Sequence, residues 1–305
     1  MTGRLQHWEP NERDGLLMTQ GYDGMRRCGS WPAGLMLGLF FIVPLLALFP
    51  EAFADSGSAF GRVLADPLFG DAVRNTLLLG LNAGLVSTAV GVALALELAK
   101  LPQRQQQWAL TLLGLPLAFS GLVIAFGFIL AFGRAGFVTQ LLAMLGADPV
   151  SVGSWIYTVY GLSFAYAYYL IPRVALTLYP VFANLDLRPT EAARSLGASP
   201  LRAFWEVVMP EVAPSVLASG CLVSALAMGT YGTALALVGT QLNILPLMLY
   251  VKVSDGGVDF PAAAALSLLL MVICAVVMAA ADVLHGRQGG KRQRRQEKNE
   301  AAATN

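Results

Sequence analysis

Charged residues are scarce here, only 13% of 305, where soluble domains carry about 25%. Their place is taken by apolar residues at 56%, which excludes an ordinary soluble globular domain. The long apolar runs contain no Asp or Glu at all. That argues against an ion-coupled carrier, which commonly keeps a carboxylate within the membrane to bind its proton or sodium. Cysteine is nearly absent too: Cys28, Cys221 and Cys274 stand far apart, so neither a disulfide framework nor a metal-ligand spacing exists. The two histidines, His7 and His285, have no partners at ligand spacing, and no metal site is expected. No phosphate-cradling loop occurs either. Gly290-Lys291-Arg292 lacks both the upstream glycine and the hydroxyl after the lysine. The chain is therefore expected to be no enzyme, with no ATPase site and no cofactor of its own. A net charge of +1 gives no reason to expect nucleic acid.

What is present is a set of runs long enough to cross a bilayer, since a core about 30 Å thick takes roughly 20 mostly apolar helical residues. Six such spans are read, at about 33–50, 75–96, 108–132, 155–182, 212–237 and 261–281. The expected fold is all-α and polytopic, with a six-helix domain over 31–286 between an N-terminal tail, 1–30, and a basic, disordered tail, 287–305. Phe137–Ala147 and the eight apolar residues before Lys252 are too short to cross and read as interfacial or re-entrant helices. Ala52-Phe53-Ala54 resembles a signal cleavage site, but some thirty mostly polar residues precede the first run, and a signal's leader is short. A start at Met18 or Met25 in place of Met1 would trim the tail and leave the spans alone.

Orientation follows from Lys and Arg, which are retained on the cytoplasmic side. The tails and the second and fourth loops hold Arg4, Arg13, Arg26, Arg27, Lys100, Arg104, Arg188, Arg194, Arg202, Arg287, Lys291, Arg292, Arg294, Arg295 and Lys298. The opposite side holds only Arg62, Arg74, Arg134 and Lys252. Both termini and the 183–211 loop are thus expected to be cytoplasmic. The run Lys291–Lys298 reads as a topology anchor beside the last span and not as a nucleic-acid patch.

That loop contains EAARSLGASPLRAFWEVVMP, residues 191–210. Asp186 can cap a first short helix that tolerates Pro189 in its opening turn, and Gly197 can end it in the left-handed conformation. Ser199-Pro200 then supplies a capping oxygen and a proline at the first helical position of a second helix. There Leu201, Phe204, Trp205 and Val208 fall at i, i+3, i+4 and i+7, with Arg202 and Glu206 opposite. Pro210 is read as closing this helix and launching the fifth span. An amphipathic helix of this kind can also simply lie on lipid.

The spacing Glu191-Ala192-Ala193, three residues, Gly197, nine residues, Val207, one residue, Met209-Pro210 resembles the EAA motif of permease subunits of binding-protein-dependent type I ABC importers. That motif is EAA-x3-G-x9-I-x-LP, and Val207 and Met209 replace its Ile and Leu with residues of similar size and polarity. The resemblance covers about Asn75 to the end of the sixth span. It implies an inner-membrane permease whose bent helix pair docks on a separate cytoplasmic ATPase dimer that binds the ATP, Ala192, Ala193 and Gly197 allowing close approach and Leu201, Phe204 and Trp205 anchoring it. Glu191 then pairs with a basic residue on the ATPase, or with Arg194 or Ser195 of its own helix. A second permease subunit, identical or related, and a periplasmic binding protein are implied as well.

The solute is less legible. Arg173 is the one charge inside a span core and can snorkel to the cytoplasmic surface or meet the solute. Asn82, Tyr166, Tyr169, Tyr231 and Thr233 are candidates for lining a path, although aromatic belts and interhelical hydroxyl pairs account for such residues equally. The stretch GTYGTALALVGTQLNILPLMLY is similar to the branch importing polyamines, iron(III), thiamine or aminoethylphosphonate, which favours a polyamine-like organic cation. Rival classes are a carrier or channel that needs no ATPase, and an anchor that only recruits a cytoplasmic partner.

Overall fold

Within hydrocarbon every backbone N–H and C=O must find a partner in its own segment, which leaves helices as the means of crossing for a chain with these long apolar runs. A computed structural model describes residues 34–54, 57–254 and 259–280, and among them are helices and turns but no strand. The tails, with His7, Cys28, Asp282 and His285, lie outside the described residues.

The helices are α1 (Gly34–Ala52), α2 (Ser58–Leu64), α3 (Phe69–Lys100), α4 (Gln103–Ala118), α5 (Gly121–Phe132), α6 (Phe137–Met144), α7 (Pro149–Ser154), α8 (Val159–Ala183), α9 (Arg188–Ser195), α10 (Pro200–Gly229), α11 (Gly232–Val238), α12 (Leu245–Ser254) and α13 (Phe260–Ala280). Five stretches are long and apolar enough to cross: α1, α3, α10, α13 and Gly121–Met144. The sixth is α8, which with α9 forms a pair bent by 68°. The protein is an all-α, polytopic membrane protein.

Three boundaries differ from those read in the sequence. The third apolar run does not continue from Trp108 to Phe132: Pro116 sits in the last turns of α4, Phe119 and Ser120 are extended, and Ser120 Oγ caps a new helix at the Val123 amide, 3.4 Å. The crossing length is instead made by α5 with α6, so Phe137–Met144 extends a span and is not a separate interfacial piece. The fifth run breaks too, with Thr230 extended between α10 and α11. In the other direction α10 reaches back to Pro200, straight through Pro210. A π turn, Phe204–Val208, closed by the Met209 amide on the Phe204 carbonyl, immediately precedes that proline and takes up the hydrogen bond it cannot donate.

The core is built where α3 meets α8 and α10, around Leu79, Ala83, Tyr166, Leu170, Val174, Leu178, Val212 and Val223. Small residues on α3 make this possible, as helices in lipid associate by close backbone approach. Gly80 faces Met228, Gly84 faces Ser224 and Thr88 faces Gly220. As the α3 number rises by four the α10 number falls by four, so the two helices run antiparallel. On another side of α3 a Cβ placed on Gly91 would stand 2.6 Å from Val174 Cβ. At the opposite end from α9, Thr76 Oγ1 accepts from the Leu245 amide at 2.9 Å and Asn75 Nδ2 donates to the Asn243 carbonyl at 2.9 Å, which satisfies the entry into short α12. Ion pairs Arg62–Asp259, 3.1 Å, and Lys252–Asp66, 3.3 Å, fasten that end.

Candidate functional site

The 184–210 segment folds largely by local rules. Asp186 Oδ1 accepts from the Arg188 amide at 3.0 Å at the entrance to α9. The exit is at Gly197, where φ is +91°, a conformation that costs an L side chain about 1–2 kcal/mol. The amides of Gly197 and Ala198 return to the carbonyls of Arg194 and Ala193, 3.0 and 3.1 Å, closing the C-terminal motif that a left-handed glycine permits. Ser199 Oγ accepts from the Arg202 amide at 3.3 Å and Pro200 opens α10. The elbow between α9 and α10 is therefore built into the isolated chain.

The side chains on this elbow are divided. Leu201 and Trp205 are exposed, at 69% and 58%, while Phe204 is half-buried and sets its ring edge-on to Trp205 at 5.8 Å. Val208, expected on their face, is buried, because the π turn adds a residue to the repeat and swings it towards the bundle. Leu196, 90% exposed, and Leu187, 56% exposed, extend the apolar surface, and the helical count begun at Leu201 missed both. Their signal was an apolar residue flanking each end of a polar helix. Ala192 is exposed, Ala193 half-buried, and Pro210 is an exposed residue within the continuous α10. Glu191 is exposed, and its carboxylate has no partner among the described residues; Ser195 Oγ donates to the Glu191 backbone carbonyl, 3.1 Å, instead. Arg202 and Glu206 form an exposed i,i+4 pair at 2.9 Å.

The five residues expected along a path do not form one group. Tyr166 is wholly buried, and its hydroxyl donates at 2.8 Å to the Thr230 carbonyl, which the end of α10 leaves free. Tyr169 lies against it, ring centroids 5.7 Å apart. The Tyr169 hydroxyl is near Thr230 and Thr233 yet makes no well-formed hydrogen bond. Thr233 is 1% exposed, and its Oγ1 has no partner and stands over the Cα of Gly121. The breaks before α5 and after α10 thus meet at Gly121 and Thr233. Arg173, exposed, is one turn beyond Tyr169 on α8. Tyr231 sits apart, its ring tilted against that of Tyr250 at 5.3 Å, and half-buried Asn82 has no hydrogen bond among the described residues.

Residues 87–290 match the family described as binding-protein-dependent transport system inner membrane component. The chain is 31% identical to the chloroplastic sulfate permease 2 of Chlamydomonas reinhardtii over 240 residues, covering 77% of this chain and 63% of that protein. It is 30% identical to the spermidine/putrescine transport system permease protein PotB of Escherichia coli over 207 residues, covering 67% and 74%. A crystal structure of a bacterial ABC transporter involved in the import of the acidic polysaccharide alginate contains a chain of similar fold, TM-score 0.68 at 16% identity, covering 89% of this chain and 98% of that one.

Proposed function

Since the chain belongs to the family of binding-protein-dependent transport system inner membrane components, and is a multi-pass permease subunit of an ABC importer in the inner membrane, we propose that the α9–α10 elbow is the handle by which a separate cytoplasmic ATPase moves it. One observation carries this reading. A bend fixed by Gly197 and Ser199 presents Leu196, Leu201 and Trp205 to solvent beside an unpaired Glu191, in a chain whose polar segments are otherwise few. Exposed aromatic and aliphatic anchors on a rigid support are what a docking groove rewards. The π turn makes α10 one continuous rod from the elbow to Gly229, so a pull on Trp205 is transmitted into the bundle without a flexible joint.

In this scheme ATP closes the ATPase dimer, two docked elbows approach each other, and the paired permeases tilt from inward-facing to outward-facing. A second permease chain and a periplasmic solute-binding protein complete the assembly. The chain itself contributes no hydrolytic chemistry. The solute is small, and relatives are named for sulfate and for spermidine and putrescine at nearly equal identity.

The test is reconstitution with the cognate ATP-binding and solute-binding subunits. Expected is ATP-driven uptake that is lost, together with ATPase co-purification, in Trp205→Glu. Solute flux by the purified chain alone, without the ATPase, would refute it.

A further inference from the structure

A helix interrupted inside a bilayer frees backbone groups that lipid cannot satisfy, so such breaks survive only where protein or a polar passage covers them. Here two breaks meet, at the start of α5 and the end of α10. The freed Thr230 carbonyl is taken by the Tyr166 hydroxyl at 2.8 Å. The donor side stays open. The first amides of α5 have no acceptor within their own helix, and Ser120 Oγ reaches only that of Val123. The group that stands over Gly121 at this helix start is the Thr233 hydroxyl, sealed from solvent and itself without a partner. The Tyr169 hydroxyl beside it is unpaired as well. One turn further along α8 is Arg173, the one formal charge in the cores of the six apolar runs.

Resting on the permease reading, we infer that this centre, made by the N-terminal turn of α5 with Thr233, Tyr169 and Arg173, reads the charge of the solute as it passes, and that the solute is a small anion of the oxyanion class. The positive end of a helix, two hydroxyls and a guanidinium form a set of donors suited to an anion. A polyammonium ion needs the opposite. It would find no carboxylate in these cores.

The experiment has two arms on the complete transporter in proteoliposomes. First, the cognate binding protein is screened by thermal shift against sulfate, molybdate, phosphate, spermidine, putrescine and thiamine, and uptake of the stabilising solute is followed with labelled material. An oxyanion as cargo supports the inference; a cationic or neutral cargo overturns it. Second, Arg173→Gln and Thr233→Val are compared with wild type. Expected is a maximal rate at least tenfold lower in each, half-saturation unchanged because the binding protein sets it, and most of the rate kept in Arg173→Lys. Thr233→Val removes a buried hydroxyl that has no partner, so its loss of rate cannot be put down to misfolding when its melting temperature equals or exceeds that of wild type. Wild-type rates in both variants with an anionic cargo overturn the inference and leave the permease reading standing, and assign Arg173 to snorkelling. Failure of the wild-type complex to take up any solute in an ATP-dependent manner overturns both.

Discussion

Substitution at Gly197 isolates the elbow from every other feature of the protein. A Cβ placed there meets nothing within 4 Å, so Gly197→Ala introduces no clash. Its whole cost is the backbone angle of +91°, about 1–2 kcal/mol for an L residue held in the left-handed region. A penalty of that size lowers the population of the bent form about 5–30-fold against its alternatives. If the ATPase accepts only the bent form, its apparent affinity falls with the bent fraction, by up to the same factor. Asn, which tolerates this region better, is expected between Gly and Ala. Pro is worst, because it fixes φ near −65° and removes the amide that donates to the Arg194 carbonyl. The assay is titration of the cognate ATPase onto each variant in nanodiscs, with the order Gly, Asn, Ala, Pro expected in affinity. Residue 197 is exposed and outside the spans, so the amount of protein inserted should not change. An alanine variant that binds as tightly as wild type, or a proline variant that supports full uptake, would show that the bend is not what the ATPase recognises.

Trp205→Glu, at a side chain 58% exposed, should weaken ATPase binding by about 2 kcal/mol or more, roughly 30-fold in the same titration, with the melting temperature of the chain unchanged. Gly91→Ala drives a methyl into Val174 and should destabilise by about 1–3 kcal/mol, whereas Gly114→Ala, in open space on α4, should stabilise by a few tenths up to about 1 kcal/mol; thermal melts in detergent that give both the same sign would contradict the packing described. Burial alone would raise the Asp259 carboxyl, but the Ala262 amide and Arg62 outweigh it and hold it below its ordinary value of 3.8. Its contribution is then complete above pH 3.8 and is lost as pH falls through the lower folded value. Asp259→Asn, which keeps the capping oxygen but loses the charge facing Arg62, should therefore be less stable at neutral pH by roughly a few tenths of a kcal/mol and should converge with wild type in acid. A reporter fused after Gly197 is expected to behave as cytoplasmic and one after Asp66 as periplasmic; the reverse pattern would invert the orientation read from Lys and Arg.

Where local chemistry decides the structure, the sequence was a sufficient guide. Gly197 and Ser199-Pro200 act within four residues of themselves, and the left-handed φ and the Ser199 cap are both where their identities put them. Apolar length failed as a guide where hydrogen bonding decides. The run from Trp108 to Phe132 is long and greasy enough for one span, but hydropathy sums side chains and is blind to the backbone. Pro116 and Ser120, read as a breaker followed by a cap, carried the signal for the interruption. Pro210 misled in the opposite sense: taken alone it stops a helix, and only the π turn before it, with Ala203 and Val208 buried, lets α10 continue.

The meeting of Gly121 with Thr233 was out of reach for a different reason. Residues 112 positions apart have no shared period or motif, and a threonine in an apolar run looks the same whether it bonds its own helix or points at another. Thr230 bonds back to the Leu226 carbonyl at 2.6 Å, the ordinary fate of such a hydroxyl in a helix. Thr233, three residues on, cannot repeat this, because α10 has already ended and the carbonyl four residues before it belongs to Gly229, on the far side of the break. The break at Thr230 leaves this hydroxyl unpaired, and the separate break at Phe119 and Ser120 frees the α5 amides beneath it. Two such defects facing each other across a helix contact are cheaper for the protein to remove than to keep: valine at 233 would cure one of them at no cost in packing volume. That the hydroxyl remains is what makes transport rate, and not stability, the quantity on which Thr233→Val should tell.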